Sequence, residues 1–361
     1  MPSTNPYKQL PEKAFWRPAV SEKGLFDIQS IWTPKFAISY TDSIATFGSC
    51  FAQHIGRELR QRQFNWLDAE PEPPFLKSES KSQFGYGVFS ARTGNIYTAA
   101  GLRQWLYWAF ERMQQPTESW TDDGRIIDPF RPTIEPDGFA SLSEMKLSRQ
   151  ATLSALRRVV AETSVFVFTL GLTECWTNAA SGAVYTTCPG VAGGTFDRSS
   201  HLFKNMKYPD VHAAMTDCFS LMKEVNPDIR VLLTVSPVPL TATAAENQHV
   251  LNATSYSKST LRAVAGDLAD EFDFCDYFPS YELITSFPFR AAWFNPNLRT
   301  VSRHGVDHVM RTFFSGLNLC GKQGQESNTE KGDVRIADTT VPLDEQDQIC
   351  EDALLDAQTN F

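Results

Sequence analysis

No stretch of this 361-residue sequence approaches the roughly 18 to 20 apolar residues in a row that a membrane-spanning helix needs, so no membrane span is expected. Neither G-x-G-x-x-G nor G-x-x-x-x-G-K-[ST] occurs, which disfavours a dinucleotide or a P-loop phosphate. The seven cysteines (Cys50, Cys175, Cys188, Cys218, Cys275, Cys320, Cys350) are odd in number, scattered and without a C-x-x-C pair. That argues against a disulfide framework and against a zinc site, and for a reducing, cytoplasmic compartment. No cofactor and no metal is expected. The opening stretch Met1-Pro2-Ser3-Thr4-Asn5-Pro6-Tyr7-Lys8 has neither a basic region leading into an apolar core nor a small-residue cleavage site, and reads as no secretory leader. Lys and Arg nowhere cluster. The net charge of -9 is concentrated from Gly321 onward, where ten acids and three bases give -7 and leave the body near -2. A body so balanced makes nucleic acid an unexpected partner.

What is present is a core. Hydrophobic residues make up 42% and aromatics 12% of the chain, enough for one domain of about 270 to 320 residues. Residues 1–40, rich in Pro and aromatics (Tyr7, Phe15, Trp16, Phe26, Trp32, Phe36), read as an arm lying on the body, because such rings are costly to leave in water. The domain is expected over residues 41–320. Residues 321–361 lack apolar periodicity and read as an acidic, disordered tail.

Within the domain, Ile44 to Phe47, the continuous apolar run Val165 to Leu170, Val231 to Val235 and Phe274 to Tyr277 have strand length and composition; Phe64 to Leu67 reads as a further short strand. Helical spacing runs over 51–64, 99–113, 141–162, 210–225, 257–272 and 302–314. Ser141 with Glu144 three residues on forms a capping-box signature. In the helix beginning near Ser257, Lys258, Arg262 and Asp267 are expected to face outward. Asp122-Asp123-Gly124 predicts a short hairpin, 82–97 a loop-rich wall, and 184–196 a glycine-rich loop. Strands alternating with helices imply a three-layer α/β/α open parallel sheet of flavodoxin-like kind. Right-handed crossovers then bring Gly48-Ser49, Gly171-Leu172-Thr173-Glu174 and Ser236-Pro237 to one sheet edge, where ligands bind.

The stretch around which this organisation turns is Thr46-Phe47-Gly48-Ser49-Cys50-Phe51-Ala52. A strand, one glycine, a hydroxyl and then a helix present a small polar side chain beside the positive end of the helix. Ser49 is either a catalytic nucleophile or a helix cap. Cys50 is a rival nucleophile at the same helix start, or else a buried packing residue.

Gly48-Ser49-Cys50-Phe51-Ala52 spells the signature of the GSCFA family. The resemblance continues through Thr169 to Glu174, Leu233 to Val238, Ser255-Tyr256-Ser257-Lys258-Ser259 and Tyr277 to Glu282, over residues 40 to 316 in the right order. That family resembles a branch of the bacterial SGNH/GDSL hydrolases, which implies an esterase-like fold with a serine nucleophile. It further implies that the amides of Ser49 and Gly171 hold the oxyanion. Where such proteins carry D-x-x-H before the last helix, this chain reads Asn297-Leu298-Arg299-Thr300, so both the acid and the base are replaced.

A serine needs a base. His304, four residues beyond Thr300 and in the first turn of the last helix, is the foremost candidate; His308, expected to be solvated opposite the Val306-Val309-Met310-Phe313 face, and His249 are alternatives. Glu174 reads as a group that orients a neighbour or a hydroxyl-bearing substrate, or as a strand-end carboxylate at a helix N-terminus. Thr173 and Ser236 join it as candidate substrate contacts. Two functions are therefore expected to compete: a serine esterase or O-acyltransferase acting on a small-molecule or glycan ester, and a non-catalytic binding or scaffolding protein on a degenerate hydrolase fold.

Overall fold

A computed structural model describes residues 5–77 and 80–321, with side chains to Leu317. The tail expected over 321–361 lies, apart from Gly321, outside the described residues. The central sheet contains β1 (Ile44–Gly48), β4 (Val165–Leu170), β8 (Arg230–Val235) and β9 (Cys275–Phe278), in the order β1-β4-β8-β9 and all parallel. Beyond β1 the expected strand over Phe64 to Leu67 is reduced to a single parallel bridge between Ile44 and Trp66. The Trp66 indole instead spends its N–H on Thr46 Oγ1 at 2.9 Å.

Strand side chains alternate between two cores. Phe166, Phe168 and Leu170 of β4 join the larger core under α2 (Ala99–Ala109), α3 (Leu142–Glu162), α4 (Tyr208–Val225) and α5 (Val250–Glu271). Val165 and Val167 point the other way, into the core under α1 (Ala52–Gln61), α6 (Ser280–Thr285) and α7 (Arg303–Gly321). Burial on both faces is why β4 reads as an unbroken apolar run. The result is the three-layer α/β/α arrangement. Ser141 caps α3, its Oγ accepting from the Glu144 amide at 3.2 Å.

Three elements depart from the sequence reading. A second sheet, β6 (Val184–Tyr185), β5 (Glu174–Asn178) and β7 (His201–Asn205) in that order, is antiparallel; β6 falls within the glycine-rich loop expected over 184–196, and β5 and β7 lie where no element was expected. Its strands are short and mostly half-exposed, so they carry little apolar signal. The predicted hairpin exists as β2 (Trp120–Asp122) and β3 (Arg125–Ile127). Helix α5 begins seven residues before Ser257, and α6 gave no sequence signal because six residues make too short a period to recognise.

Of the aromatic arm, Trp32 is buried and stacks on Phe313 with centroids 5.5 Å apart, whereas Tyr7, Trp16 and Phe26 are exposed. No helix among the described residues is long and apolar enough to cross a membrane.

Candidate functional site

The chain leaves β1 toward Trp66 on one side of the sheet and returns to β4 on the other. The strand order therefore reverses at the C-terminal end of β1, the place where open parallel sheets bind ligands. Gly48 makes the approach possible. Its φ is +137°, and a Cβ there would fall 2.5 Å from the Thr169 carbonyl oxygen, so no other residue fits. Ser49 follows at once. It is 2% exposed, and its Oγ has no hydrogen-bond partner.

Ser49 does not cap α1: the cap position is Phe51, without a side-chain hydrogen bond. The Ser49 backbone N–H donates to Thr169 O at 3.3 Å, and the Gly171 N–H donates to Tyr97 O at 3.0 Å. Both amides expected to hold an oxyanion are thus engaged within the fold. Gly171 does lie against Ser49, since a Cβ on it would fall 3.0 Å from the Ser49 Cβ.

Asn95, which the sequence marked only as part of a loop wall, is also here. It is 2% exposed, and its Oδ1 accepts from Gln53 Nε2 of α1 at 3.1 Å. That bond fixes the amide plane and turns Nδ2 away from Gln53. Asn95, Tyr97 and Leu172 line a narrow cavity of about 30 Å³. Leu172 and Glu174 also line an adjoining cavity of about 230 Å³ whose other walls include Trp176, Phe203, Leu240 and Thr243. Ser49 lines neither; the segments flanking it, 95–97 and 171–174, do.

Glu174 is half-buried at the start of β5 and accepts from Thr243 Oγ1 at 2.7 Å. Burial raises its pKa above the ordinary carboxylate value, against the lowering effect of that bond and of the Ala244 amide. Thr173 is fully used: its N–H donates to Ser257 Oγ at 3.0 Å and its hydroxyl to Asn205 Oδ1 at 2.7 Å. Ser236 follows β8, and its Oγ accepts from the Val238 amide at 3.3 Å. Cys50 is buried and forms no disulfide.

None of the three candidate histidines hydrogen-bonds Ser49. His304 is exposed in the first turn of α7. His249 is exposed at the start of α5, where its Nδ1 accepts from the Leu251 amide at 3.1 Å. His308 is a correction. It is 7% exposed rather than solvated, stacked on Trp293 with centroids 4.5 Å apart and edge-on to Phe289. Those rings belong to the irregular segment before α7, which covers a helix side that the apolar stripe alone left open. Burial, with help from Arg311, lowers the His308 pKa.

Where an acid and a base were missing from the sequence, a closed loop stands. Asn297 Oδ1 accepts from the Arg299 and Thr300 amides, each at 3.0 Å, and from the Thr300 hydroxyl at 3.1 Å. Arg299 reaches Thr241 on the wall of the larger cavity.

Lys258 is the second correction and the second residue missed. Expected outward, it is 1% exposed, and its Nζ donates to the Gly171 carbonyl at 2.7 Å. The signal was there: Lys258 stands three, seven and ten residues before the buried Leu261, Ala265 and Leu268, on one helix face. Its charge argued for solvent; its position argued for the core, and position prevailed.

Fold and site together define a parallel α/β protein with a buried serine at the sheet's switch point. The chain belongs to the GSCFA family, whose model matches residues 43–313. Compared with curated proteins, it matches none.

Proposed function

We propose that the protein is a serine esterase or O-acyltransferase for small acyl esters, built on the SGNH-like plan that its motifs resemble. The observation that carries this reading is the Ser49 hydroxyl, buried without a partner at the switch point. A buried hydroxyl left unsatisfied costs about 1–3 kcal/mol, a cost that evolution tolerates where a ligand completes the bonding. Ser49 Oγ is then the nucleophile. The Ser49 and Gly171 amides would hold the oxyanion after a small opening that releases them from Thr169 and Tyr97. The larger cavity would hold the acyl or alcohol portion on its apolar walls, and Glu174 would accept from a substrate hydroxyl, as a sugar ester offers. None of the five described cysteines is in a disulfide, which supports a reducing, cytoplasmic setting.

A second reading has its own observation. The engaged amides and the closed Asn297–Thr300 loop fit a binding protein that keeps the fold and has lost the chemistry. A fluorophosphonate probe separates the two, because it needs an activated serine and not merely a serine. The esterase reading expects one covalent adduct, located on the peptide containing Ser49 and absent in Ser49→Ala. A wild-type chain that takes up no probe and hydrolyses no p-nitrophenyl acetate establishes the binding protein instead.

A further inference from the structure

The larger cavity is built on one face of the second sheet. Side chains alternate along a strand, so Glu174 and Trp176 of β5 share a face, and the β5–β7 register sets Phe203 directly across from Trp176. The β5–β6 register pairs Trp176 with Tyr185; continued two residues further, it sets Thr187 opposite Glu174. Glu174, Trp176, Thr187 and Phe203 all line the cavity. Its apolar part is shaped by the two rings, which meet at 61° with centroids 5.6 Å apart. Such a corner accepts a third ring face-on to one and edge-on to the other. The cavity, at about 230 Å³, has room for it. A cavity of about 150 Å³ already encloses benzene, so this one takes a six-membered ring with a short substituent.

The polar part faces that corner across the same sheet. Thr187 is 7% exposed, and its Oγ has no hydrogen-bond partner. A buried hydroxyl in that state is costly unless a ligand completes its bonding. Glu174 accepts from the Thr243 hydroxyl and the Ala244 amide, yet a carboxylate has about four lone-pair sites, so it can accept again. We propose that the cavity binds a hydroxyaryl group, its ring in the Trp176–Phe203 corner and its phenolic hydroxyl donating to Glu174 while accepting from Thr187. The ring belongs to either the acyl or the alcohol half of the ester; that assignment rests on the esterase reading, the binding itself does not. Burial disfavours the charge on Glu174, and a further donor offsets that cost. A sugar ring fits less well, because it carries hydroxyls on every side and would press some of them unpaired against Leu172, Leu240 and the aromatic corner. A plain acyl chain would leave Thr187 as it stands, without a partner.

The experiment is isothermal titration calorimetry on the full Ser49→Ala chain, in which the esterase reading expects no turnover, and on the same chain carrying Thr187→Val or Glu174→Leu, with thermal unfolding alongside. The probes are methyl para-hydroxycinnamate against methyl cinnamate, para-hydroxybenzyl acetate against benzyl acetate, and methyl octanoate and methyl glucoside. Expected is binding at least roughly 10-fold tighter for a hydroxylated ester than for its partner lacking the hydroxyl, a preference that both substitutions abolish. The pair that shows it assigns the ring to the acyl or to the alcohol half. Equal affinities within both pairs overturn the proposal, as do a preference that survives both substitutions and tighter binding of the octanoate or the glucoside. Should the variants fail to fold, the ligand pairs decide alone. A wild-type chain that is labelled by fluorophosphonate at Ser49 but shows no hydroxyl preference sinks this inference and leaves the esterase reading standing. A preference in a chain whose Ser49 takes up no probe does the reverse.

Discussion

Gly171 and Ser49 are packed so closely that a single added carbon would crowd its neighbours: a Cβ on Gly171 lies 3.0 Å from the Ser49 Cβ and 3.0 Å from the Tyr97 carbonyl oxygen. The contact joins β1 to β4 at the point where the strand order turns. It also couples the serine to everything Gly171 holds, namely Tyr97 through its amide and Lys258 through its carbonyl.

Gly171→Ala tests that coupling. One neighbour is backbone, which yields poorly, so the variant is expected to lose about 1–3 kcal/mol in urea denaturation. Labelling of Ser49 should fall by more than stability does, since the added methyl displaces the nucleophile. An unchanged labelling rate in a folded Gly171→Ala chain would show that the close packing has no bearing on the serine.

The larger cavity gives a second test. Leu172 lines both cavities, and Leu172→Trp should fill much of their junction. The expected result is a KM that rises with the acyl chain length of p-nitrophenyl esters, while the acetate is hydrolysed nearly as before. If all chain lengths are affected alike, the substrate enters elsewhere.

How much of this was legible beforehand follows from particular residues. The parallel strands were readable because Val165 to Leu170 and its neighbours are buried on both faces, and composition records such burial directly. The place of Ser49 was readable because the apolar strand run stops at Gly48, while its role stayed divided between nucleophile and helix cap. The antiparallel sheet of Glu174–Asn178 and His201–Asn205 was not, since its half-exposed strands mix apolar and polar residues without strict alternation. The helix spacing of Lys258 does mark it as buried, but its partner, like that of Asn95, is out of reach of the sequence. Their importance lies in contacts with residues far away in sequence, Gln53 and Gly171, that only the tertiary fold creates.

A third prediction concerns the support behind the Asn95 segment. Asp128 is buried between two guanidiniums, accepting from Arg131 Nε at 2.9 Å and from Arg149 Nη2 at 2.7 Å. Arg131 passes the connection on, donating to the Arg92 carbonyl at 3.1 Å. Burial alone would raise the Asp128 pKa, but the two arginines outweigh it and the net shift is downward. The folded pKa lies below the unfolded one, so this stability is complete above the unfolded pKa and is lost as pH falls through the folded value. Asp128→Asn leaves two buried cations short of an anion, and a loss of about 3–5 kcal/mol is expected at neutral pH. A loss under about 1 kcal/mol would mean that the arginines find other partners.

The last prediction is a pH dependence centred on His54, in the first turn of α1. Its ring meets Phe51 edge-on with centroids 5.6 Å apart. Burial first, and the charge of Arg57 second, lower its pKa to about 4 from the ordinary 6.5. Between those values the unfolded chain binds a proton that the folded chain refuses. Stability from this group is therefore complete above pH 6.5, falls as pH drops toward 4, and falls no further below that, once both states are protonated. The gap corresponds to on the order of 3 kcal/mol at most. Burial works the other way on Asp68, Glu70, Glu174 and Asp276, whose pKa values it raises, so these carboxyls gain stability as pH falls and mask part of the slope. The readout is consequently a difference: urea midpoints of wild type and His54→Gln at pH 7.5, 6, 5 and 4. The two curves should converge as the pH falls, with the wild type losing more stability than the variant. Parallel curves would show that His54 takes up its proton in the folded state as readily as in the unfolded one.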